Sequence, residues 1–402
     1  MKNKIPVILL VLLLLACIPM IMADSDSQNN NSNTGKIAFA SKRSGNSEIY
    51  TIQADGSGLT RLTNNKSEDF MPQWSPDGTK IFYISANKGK NEIWVMNADG
   101  SDPIRVAEDS YREYPPSWSP DSRKILLSLR PGVWEYVICT VDADGDNFQR
   151  ISDSNAKCKF PSWSPDGSKI VYVNEYQGEI YIYTMNVDGT ERIKLTREEG
   201  TYERPTWSPD GRKIGFVFTK KSLLAVDPVI GVVNADGTGQ LTITKGDYEF
   251  YWSPNSKMIA FTKVGDKKIN YRPGHAPEII KYYGLYIISM DGNGYDTKVN
   301  LTGLDRTFPA WTLDSAKVIY MYDSKLNIYT TRNRNNIDLA INSSLSAPRI
   351  SPDGTQILWA GGKAGILKKS YLYIAKTDGT AVTKLTDSGS DSDPVWQPVI
   401  SQ

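Results

Sequence analysis

Histidine is almost missing from this 402-residue chain, and His275 is the only one. A Ser-His-Asp or Cys-His site, and most transition-metal sites, would have to use it. It sits in Asn270-Tyr271-Arg272-Pro273-Gly274-His275-Ala276-Pro277, a stretch whose Pro and Gly read as an exposed polar loop. Gly-x-Ser-x-Gly is absent, so no hydrolase nucleophile elbow is encoded. Charge of one sign is also lacking. The formal net charge is +1, falling to about −1 without Lys2 and Lys4, and no basic block stands out. Phosphate binding needs a concentrated positive face, so nucleic acid is not an expected partner. Carboxylates are plentiful, yet nothing singles out a catalytic pair of the glycosidase kind.

Cysteine is scarce, with three in the chain. Cys17 lies in the N-terminal apolar run, which leaves Cys139 and Cys158. Bridging them would close a modest loop inside one repeat, and two buried free thiols are the alternative. Long hydrophobic runs are equally rare. The N-terminal one, Ile5–Met22, carries no charge and follows Lys2 and Lys4. Residues 1–23 therefore read as a targeting or anchoring segment, with an inside N-terminus and an outside body. Three fates are open. Leu14-Leu15-Ala16-Cys17 resembles the lipobox of prokaryotic lipoproteins, with Cys17 as the lipidated residue. Cleavage after Ile21-Met22-Ala23 fits the small-residue rule. An 18-residue apolar run is also just long enough to remain as a membrane anchor. Each puts the body in the periplasm or on the cell surface. Residues 24–34 form a polar tether with nothing to bury.

What is abundant is repetition. Pro-Ser-Trp-Ser-Pro-Asp-Gly-Ser-Lys-Ile at 161–170 recurs around Trp74, Trp118, Trp163, Trp207, Trp252 and Trp311, with degenerate copies at Ile350 and Trp396. The spacing is 44 or 45 residues up to Trp252, then jumps to 59. A period of roughly 40–50 residues built from short strands points to a β-propeller. One unit contains Ser162-Trp163-Ser164, the turn Pro165-Asp166-Gly167, a strand Ile170–Val173, a loop Asn174–Gly178, a strand Glu179–Met185, an Asp188-Gly189 turn and a strand Arg192–Thr196. Pro fixes φ, Asp tolerates turn geometry and Gly supplies positive φ. Strands with consecutive apolar residues, such as Ile-Val-Tyr-Val at 170–173, read as covered on both faces. The first unit, from Gly35, lacks its own first strand, and the last, around Trp396, has nothing after its first. The C-terminal strand is therefore expected to complete the N-terminal blade and close the ring, leaving no open edge. The fold expected over residues 35–398 is a single all-β propeller of four-stranded antiparallel blades, eight in number, with seven as the alternative.

Pro-x-Trp-Ser-Pro-Asp-Gly-x-x-Ile, followed by Ile-Tyr-x-Met-Asn-x-Asp-Gly and a Leu-Thr ending, resembles the WD40-like (PD40) repeat of TolB-type propellers. The resemblance covers residues 35–398. It implies a platform fold and leaves function open. Two departures from TolB stand out: no α/β domain is read before Gly35, and there are more blades than the six that TolB implies.

Calcium is the one cofactor the sequence raises. Asp142-Ala143-Asp144-Gly145-Asp146, with Asp153 further on, spaces oxygens as an EF-hand loop begins. Position six is Asn147 and not Gly, and the other repeats carry the same Asp-Gly turn. The turn reading is preferred, and no metal site or other cofactor is expected.

In an up-down blade the Ser-Pro-Asp-Gly and Asn-x-Asp-Gly turns share one face. Length variation falls on the other, at 129–134, 218–227, 263–283 and 361–370. Loops on a rigid scaffold are where specificity usually sits. The segments leading into each inner strand are acidic and aromatic, and should rim the channel. They offer Asp69, Glu113, Tyr114, Tyr202, Glu203, Asp247, Tyr248, Glu249 and Asp393 as candidates for a cationic peptide or a stacked sugar. The insertion 263–283, with Tyr271, Arg272, His275 and Tyr282, is a candidate lid or a contact for a partner or membrane. The expected function is a monomeric, exported, non-enzymatic propeller, anchored to the membrane through its N-terminal segment, that binds a protein, peptide or cell-envelope component through its loop-rich face. The alternatives are a hydrolase or lyase acting on polysaccharide, and a structural surface-layer component.

Overall fold

The computed structural model describes residues 35–109, 115–132, 135–222, 227–245, 249–270, 278–290, 297–299, 308–322, 325–338, 346–362 and 369–399. Every regular element among them is a strand. Eight four-stranded antiparallel sheets form eight blades, as the repeat count requires, and the seven-blade alternative falls away. Blade 1 is closed by the C-terminus: Asp391–Trp396 pairs with Lys36–Ser41, with Ile37 opposite Trp396 and Ser41 opposite Asp391. Blades 2 to 8 take their inner strands from Glu68–Trp74, Ser117–Trp118, Lys157–Trp163, Gly200–Trp207, Phe250–Trp252, Ala310–Trp311 and Arg349–Ile350.

Blade 4 shows how the repeat makes a blade. Its strands are Lys157–Trp163, Lys169–Tyr176, Glu179–Asn186 and Ile193–Lys194. In the Ser-Pro-Asp-Gly turn the Ser164 hydroxyl donates to Asp166 at 2.6 Å and accepts the Lys169 N–H at 2.8 Å. Gly189 closes the outer turn at φ +85°, and a Cβ there would lie 2.6 Å from the Ile151 carbonyl of blade 3. The Leu-Thr ending has a purpose too. The Thr196 hydroxyl accepts the Ile182 N–H at 3.0 Å, tying the short outer strand to its neighbour. Thr63, Ser152 and Thr386 do the same in other blades. The expected loop Asn174–Gly178 is shorter than read: strands run to Tyr176 and resume at Glu179. Gln177 and Gly178, at φ 51° and 84°, make a two-residue primed turn that suits the strand twist.

Double-sided burial explains the continuous apolar strands. Ile170 and Tyr172 pack with Leu126 and Ile138 of blade 3, whereas Val171 and Val173 pack with Trp207, Ile214 and Phe216 of blade 5. Each fully buried aliphatic side chain of this kind contributes about 1.5–3 kcal/mol. The repeated tryptophans staple blade to blade. The Trp118 ring N–H donates to the Gln73 carbonyl at 3.2 Å, Trp252 to Thr206 at 3.3 Å, Trp311 to Tyr251 at 3.1 Å and Trp396 to Arg349 at 3.3 Å.

The disulfide reading is corrected. Cys139 and Cys158 are free and buried. Successive residues of a strand face opposite ways. Ile138 therefore joins Cys158 in the packing between blades 3 and 4, and Cys139 turns to blade 2, beside Phe82 and Ile93. Burial pushes both thiols up to about 11, which keeps them protonated and inert.

Candidate functional site

The site begins with a bulge. Four inner strands carry an X-Pro pair where the ladder skips: Met71-Pro72, Phe160-Pro161, Arg204-Pro205 and Asp393-Pro394. The residue before each proline stands at φ 53°, 53°, 51° and 52°. Left-handed backbone at a non-glycine residue is strained by about 1–2 kcal/mol. A bulge there turns the side chain out of the ladder.

Two of these turned-out residues join a charged cluster. Arg204 of blade 5 pairs with Glu249 at the start of blade 6, Nη1 to Oε1 at 3.4 Å. The Tyr251 hydroxyl donates to the other Glu249 oxygen at 3.3 Å. Tyr251 is also within electrostatic reach of Arg349 from blade 8, and Arg349 within reach of Asp393 from blade 1. The Ser392 hydroxyl donates to the Asp393 carboxylate at 3.0 Å, and the Met71 backbone of blade 2 lies within its electrostatic reach. A residue of blade 6 can meet one of blade 8, past the whole of blade 7, only inside the ring. The cluster therefore lies in the central channel. Arg204, Tyr251, Arg349 and Asp393 are half-buried.

That setting shifts the titration of Tyr251, Arg349 and Asp393. Burial, reinforced by the Glu249 charge, holds the Tyr251 phenol well above its usual range. Burial pulls Arg349 down to about 10, against the opposing charge of Asp393, and it stays cationic at neutral pH. Burial raises Asp393, with Ser392, Met71 and Arg349 opposing.

The acidic and aromatic residues expected on the rim divide. Glu249 and Asp393 are in the channel cluster. Asp69 is fully buried: Ser85 donates to it at 2.6 Å and Asn65 at 2.7 Å, and burial raises its carboxyl. Tyr202 is core, with ring centroids 4.6 Å from Phe218 and 5.5 Å from Phe216, and its hydroxyl donates to the Glu198 carbonyl. Neither reaches the rim. Glu203 is half-buried on the strand Gly200–Trp207. Glu113, Tyr114, Asp247, Tyr248, Tyr271, Arg272, His275 and Cys17 lie outside the described residues. The insertion 263–283 is largely strand where a loop was expected. Met258–Asn270 and Glu278–Ser289 pair out to Asn270 opposite Glu278, extending blade 6 by roughly 20 Å at about 3.3 Å per residue. Tyr282 belongs to its second strand.

Two of the carboxylates spaced like the start of an EF-hand loop have partners within the blades. Asp142 is taken by Lys124 and Asn147, and Asp153 by Arg192 at 3.4 Å. Among the described residues no group of three or more His, Cys, Asp or Glu is arranged to hold a metal ion.

Arg204, Tyr251 and Arg349 were missed as candidates. Their signal was positional. Tyr251 and Arg349 take the place of x in Pro-x-Trp, where other blades have Gln73, Ser117, Ser162, Thr206, Ala310 and Val395. Arg204 stands directly before the bulge proline.

Comparison with known proteins follows the repeat. The family model described as the TolB beta propeller domain, PD40, matches residues 29–155 and 104–272. The Tol-Pal system protein TolB of Geobacter sulfurreducens is 50% identical over 48 residues, 12% of this chain and 11% of that protein. The protein TolB homolog of Chlorobaculum tepidum is 46% identical over 46 residues, 11% of each. The matched stretch thus spans about a tenth of these relatives' length. Among solved structures, dihydro-heme d1 dehydrogenase NirN in complex with DHE aligns at a TM-score of 0.62 and 13% identity, over 93% of this chain and 77% of that one. An oligogalacturonate lyase in complex with manganese aligns at 0.54 and 13%, over 85% and 98%. At such identity these likenesses establish the propeller alone.

Proposed function

The chain belongs to the TolB beta propeller family, and on that premise we propose that it is an exported, envelope-associated binding platform. It holds a segment of a protein or peptide in the mouth of its central channel and acts by binding, without turnover. The observation that carries this reading is the cluster of Arg204, Glu249, Tyr251, Arg349 and Asp393, drawn from four blades into one half-buried place. Charges of both signs beside a phenol suit a polypeptide, which offers amides, carboxylates and ammonium groups together. Left-handed backbone at Arg204 and Asp393, two members of the cluster, supports a functional reason for that geometry. The uncharged stretch Ile5–Met22 behind Lys2 and Lys4 supports export. The name of the Geobacter relative, a Tol-Pal system protein, supports a place among other proteins.

The test is capture from envelope extract of the native host with the full chain as bait. Wild type is compared with the double variant Arg204→Gln/Glu249→Gln, which removes both charges and strands neither. Wild type is expected to enrich a discrete partner, identified by mass spectrometry, and the variant to lose it. Equal recovery by both baits would remove the channel as the binding site. Turnover of a glycan panel by the wild type would replace the platform with the polysaccharide enzyme.

A further inference from the structure

Within the channel cluster, Arg349 differs from its neighbours. Arg204 has Glu249, and elsewhere Arg43 has Asp391 and Arg61 has Glu48, each in an ion pair. The Arg349 guanidinium makes no hydrogen bond or ion pair among the described residues, although its backbone carbonyl accepts the Trp396 ring N–H. Asp393 and Tyr251 are within its electrostatic reach. Both acids of the cluster are already engaged. Glu249 accepts from Arg204 and Tyr251, and Asp393 accepts from Ser392.

Five N–H donors in a planar fork are thus left without a protein acceptor, on a half-buried side chain in the channel. A carboxylate that takes the place of water on these donors makes charge-assisted hydrogen bonds, stronger in a partly desolvated channel than in bulk water. The planar fork matches a carboxylate by two parallel hydrogen bonds. A dianionic phosphate fits less well, because it would bring its second charge against Glu249 and Asp393.

We propose that Arg349 is the anchor for a single carboxylate of the bound polypeptide, either an Asp or Glu side chain or a C-terminus. This rests on the reading of the channel as a peptide site and names the group that site selects. The probes are four octapeptides on one Gly-Ser-Tyr-Leu background, each labelled with an uncharged BODIPY dye. Three are amidated and carry Glu, Gln or Lys at the centre, and the fourth carries Gln with a free C-terminal carboxylate. Binding to the full chain is followed by fluorescence anisotropy.

A peptide bearing a carboxylate is expected to bind at least about tenfold tighter than the amidated Gln peptide, as charge-assisted bonds imply. Which of the two carboxylate peptides gains identifies the source. Arg349→Gln should erase the preference, and Arg349→Lys should keep part of it. If Arg349→Gln does not fold by circular dichroism, the comparison of wild type with Arg349→Lys decides. A lysine variant as selective as wild type would then overturn the fork geometry. Equal binding of all four peptides to wild type, or an unchanged preference in Arg349→Gln, overturns the carboxylate anchor and leaves the peptide platform standing. Binding of none of the four counts against the channel as a peptide site, and the anchor falls with it.

Discussion

Asp391 and Asp393 are the same residue, two positions apart on one strand, and they do opposite things. Asp391 is fully buried and receives Arg43 at 2.8 Å and Ser388 at 2.6 Å. Asp393 stands half-buried in the channel beside Arg349. The same contrast runs through the inner strands. Three residues before the bulge proline come Asp69, Cys158, Tyr202 and Asp391, each at most 1% exposed. One residue before it come Met71, Phe160, Arg204 and Asp393, all half-buried with positive φ. An unbroken strand would put positions i and i+2 on one face. The left-handed bulge breaks that alternation and sends the second residue to the channel. Backbone geometry decides burial here, not residue type.

The buried position itself is filled in two ways. At the joint of blades 1 and 2 it is polar. Asp69 is held by Ser85 and Asn65, and nearby Glu48 receives Arg61 at 2.8 Å, Thr63 at 2.5 Å and the Asn65 N–H at 3.0 Å. In blade 5 the same place is aromatic, with Tyr202 against Phe216 and Phe218. Either solution satisfies the rule that buried groups are hydrogen-bonded or apolar. The joint beside the closing strand has the polar one.

This contrast explains what the sequence revealed. Strands, turns and the closing partner were legible because each depends on residues close together: Pro-Asp-Gly at one turn, Asp-Gly at the other, and Thr at the outer strand. The channel segment was legible as a segment, just before each Pro-x-Trp. Its working residues were not. Choosing Asp69 and Tyr202 over Arg204 and Arg349 requires knowing that the chain turns left-handed before the proline. Composition favoured the acidic and aromatic members, and the bulge selected others.

The largest expected effect comes from emptying the buried position. Tyr202→Ala should cost about 3–5 kcal/mol, the usual cost of truncating a large core aromatic, read as a lower urea midpoint. Partner recovery by the folded fraction should be unchanged. A cost under about 1 kcal/mol would mean that Tyr202 is not core and would erase the contrast.

Asp391→Ala should come next, at about 3 kcal/mol, because it leaves the half-buried Arg43 without its acid. The effect is placed below that of Tyr202 because Asp391 Oδ2 already lacks a partner among the described residues. Asp391→Ala/Arg43→Ala should recover part of the loss in the same urea titration. A double variant worse than the sum of the two single changes would show that the ion pair is not what Asp391 contributes.

Asp69 sharpens the comparison through pH. Burial raises its carboxyl in the folded chain above the unfolded value of 3.8. The folded protein therefore binds the proton more tightly than the unfolded one. The penalty of ionised Asp69 is full above the folded pKa and relieved as pH falls through it toward 3.8. Wild type gains that relief and Asp69→Asn does not. The stability cost of Asp69→Asn should accordingly be larger at pH 4 than at pH 7, each measured against wild type at the same pH. A cost that shrinks on acidification would place an ion partner beside Asp69 and contradict its burial.

The smallest expected change in stability is at Asp393, and it separates the two positions most cleanly. Glycine adopts φ 52° without strain, so Asp393→Gly relieves about 1 kcal/mol of backbone cost. It also removes a carboxylate whose burial is unfavourable, at the expense of the attraction to Arg349. Net stability should stay within about 1 kcal/mol of wild type. Binding should respond instead: with the resident acid gone, Arg349 faces less competing negative charge, and carboxylate peptides should bind more tightly than to wild type. A loss of 2 kcal/mol or more with unchanged peptide binding would make Asp393 a structural acid like Asp391. The left-handed bulge would then have no part in shaping the channel.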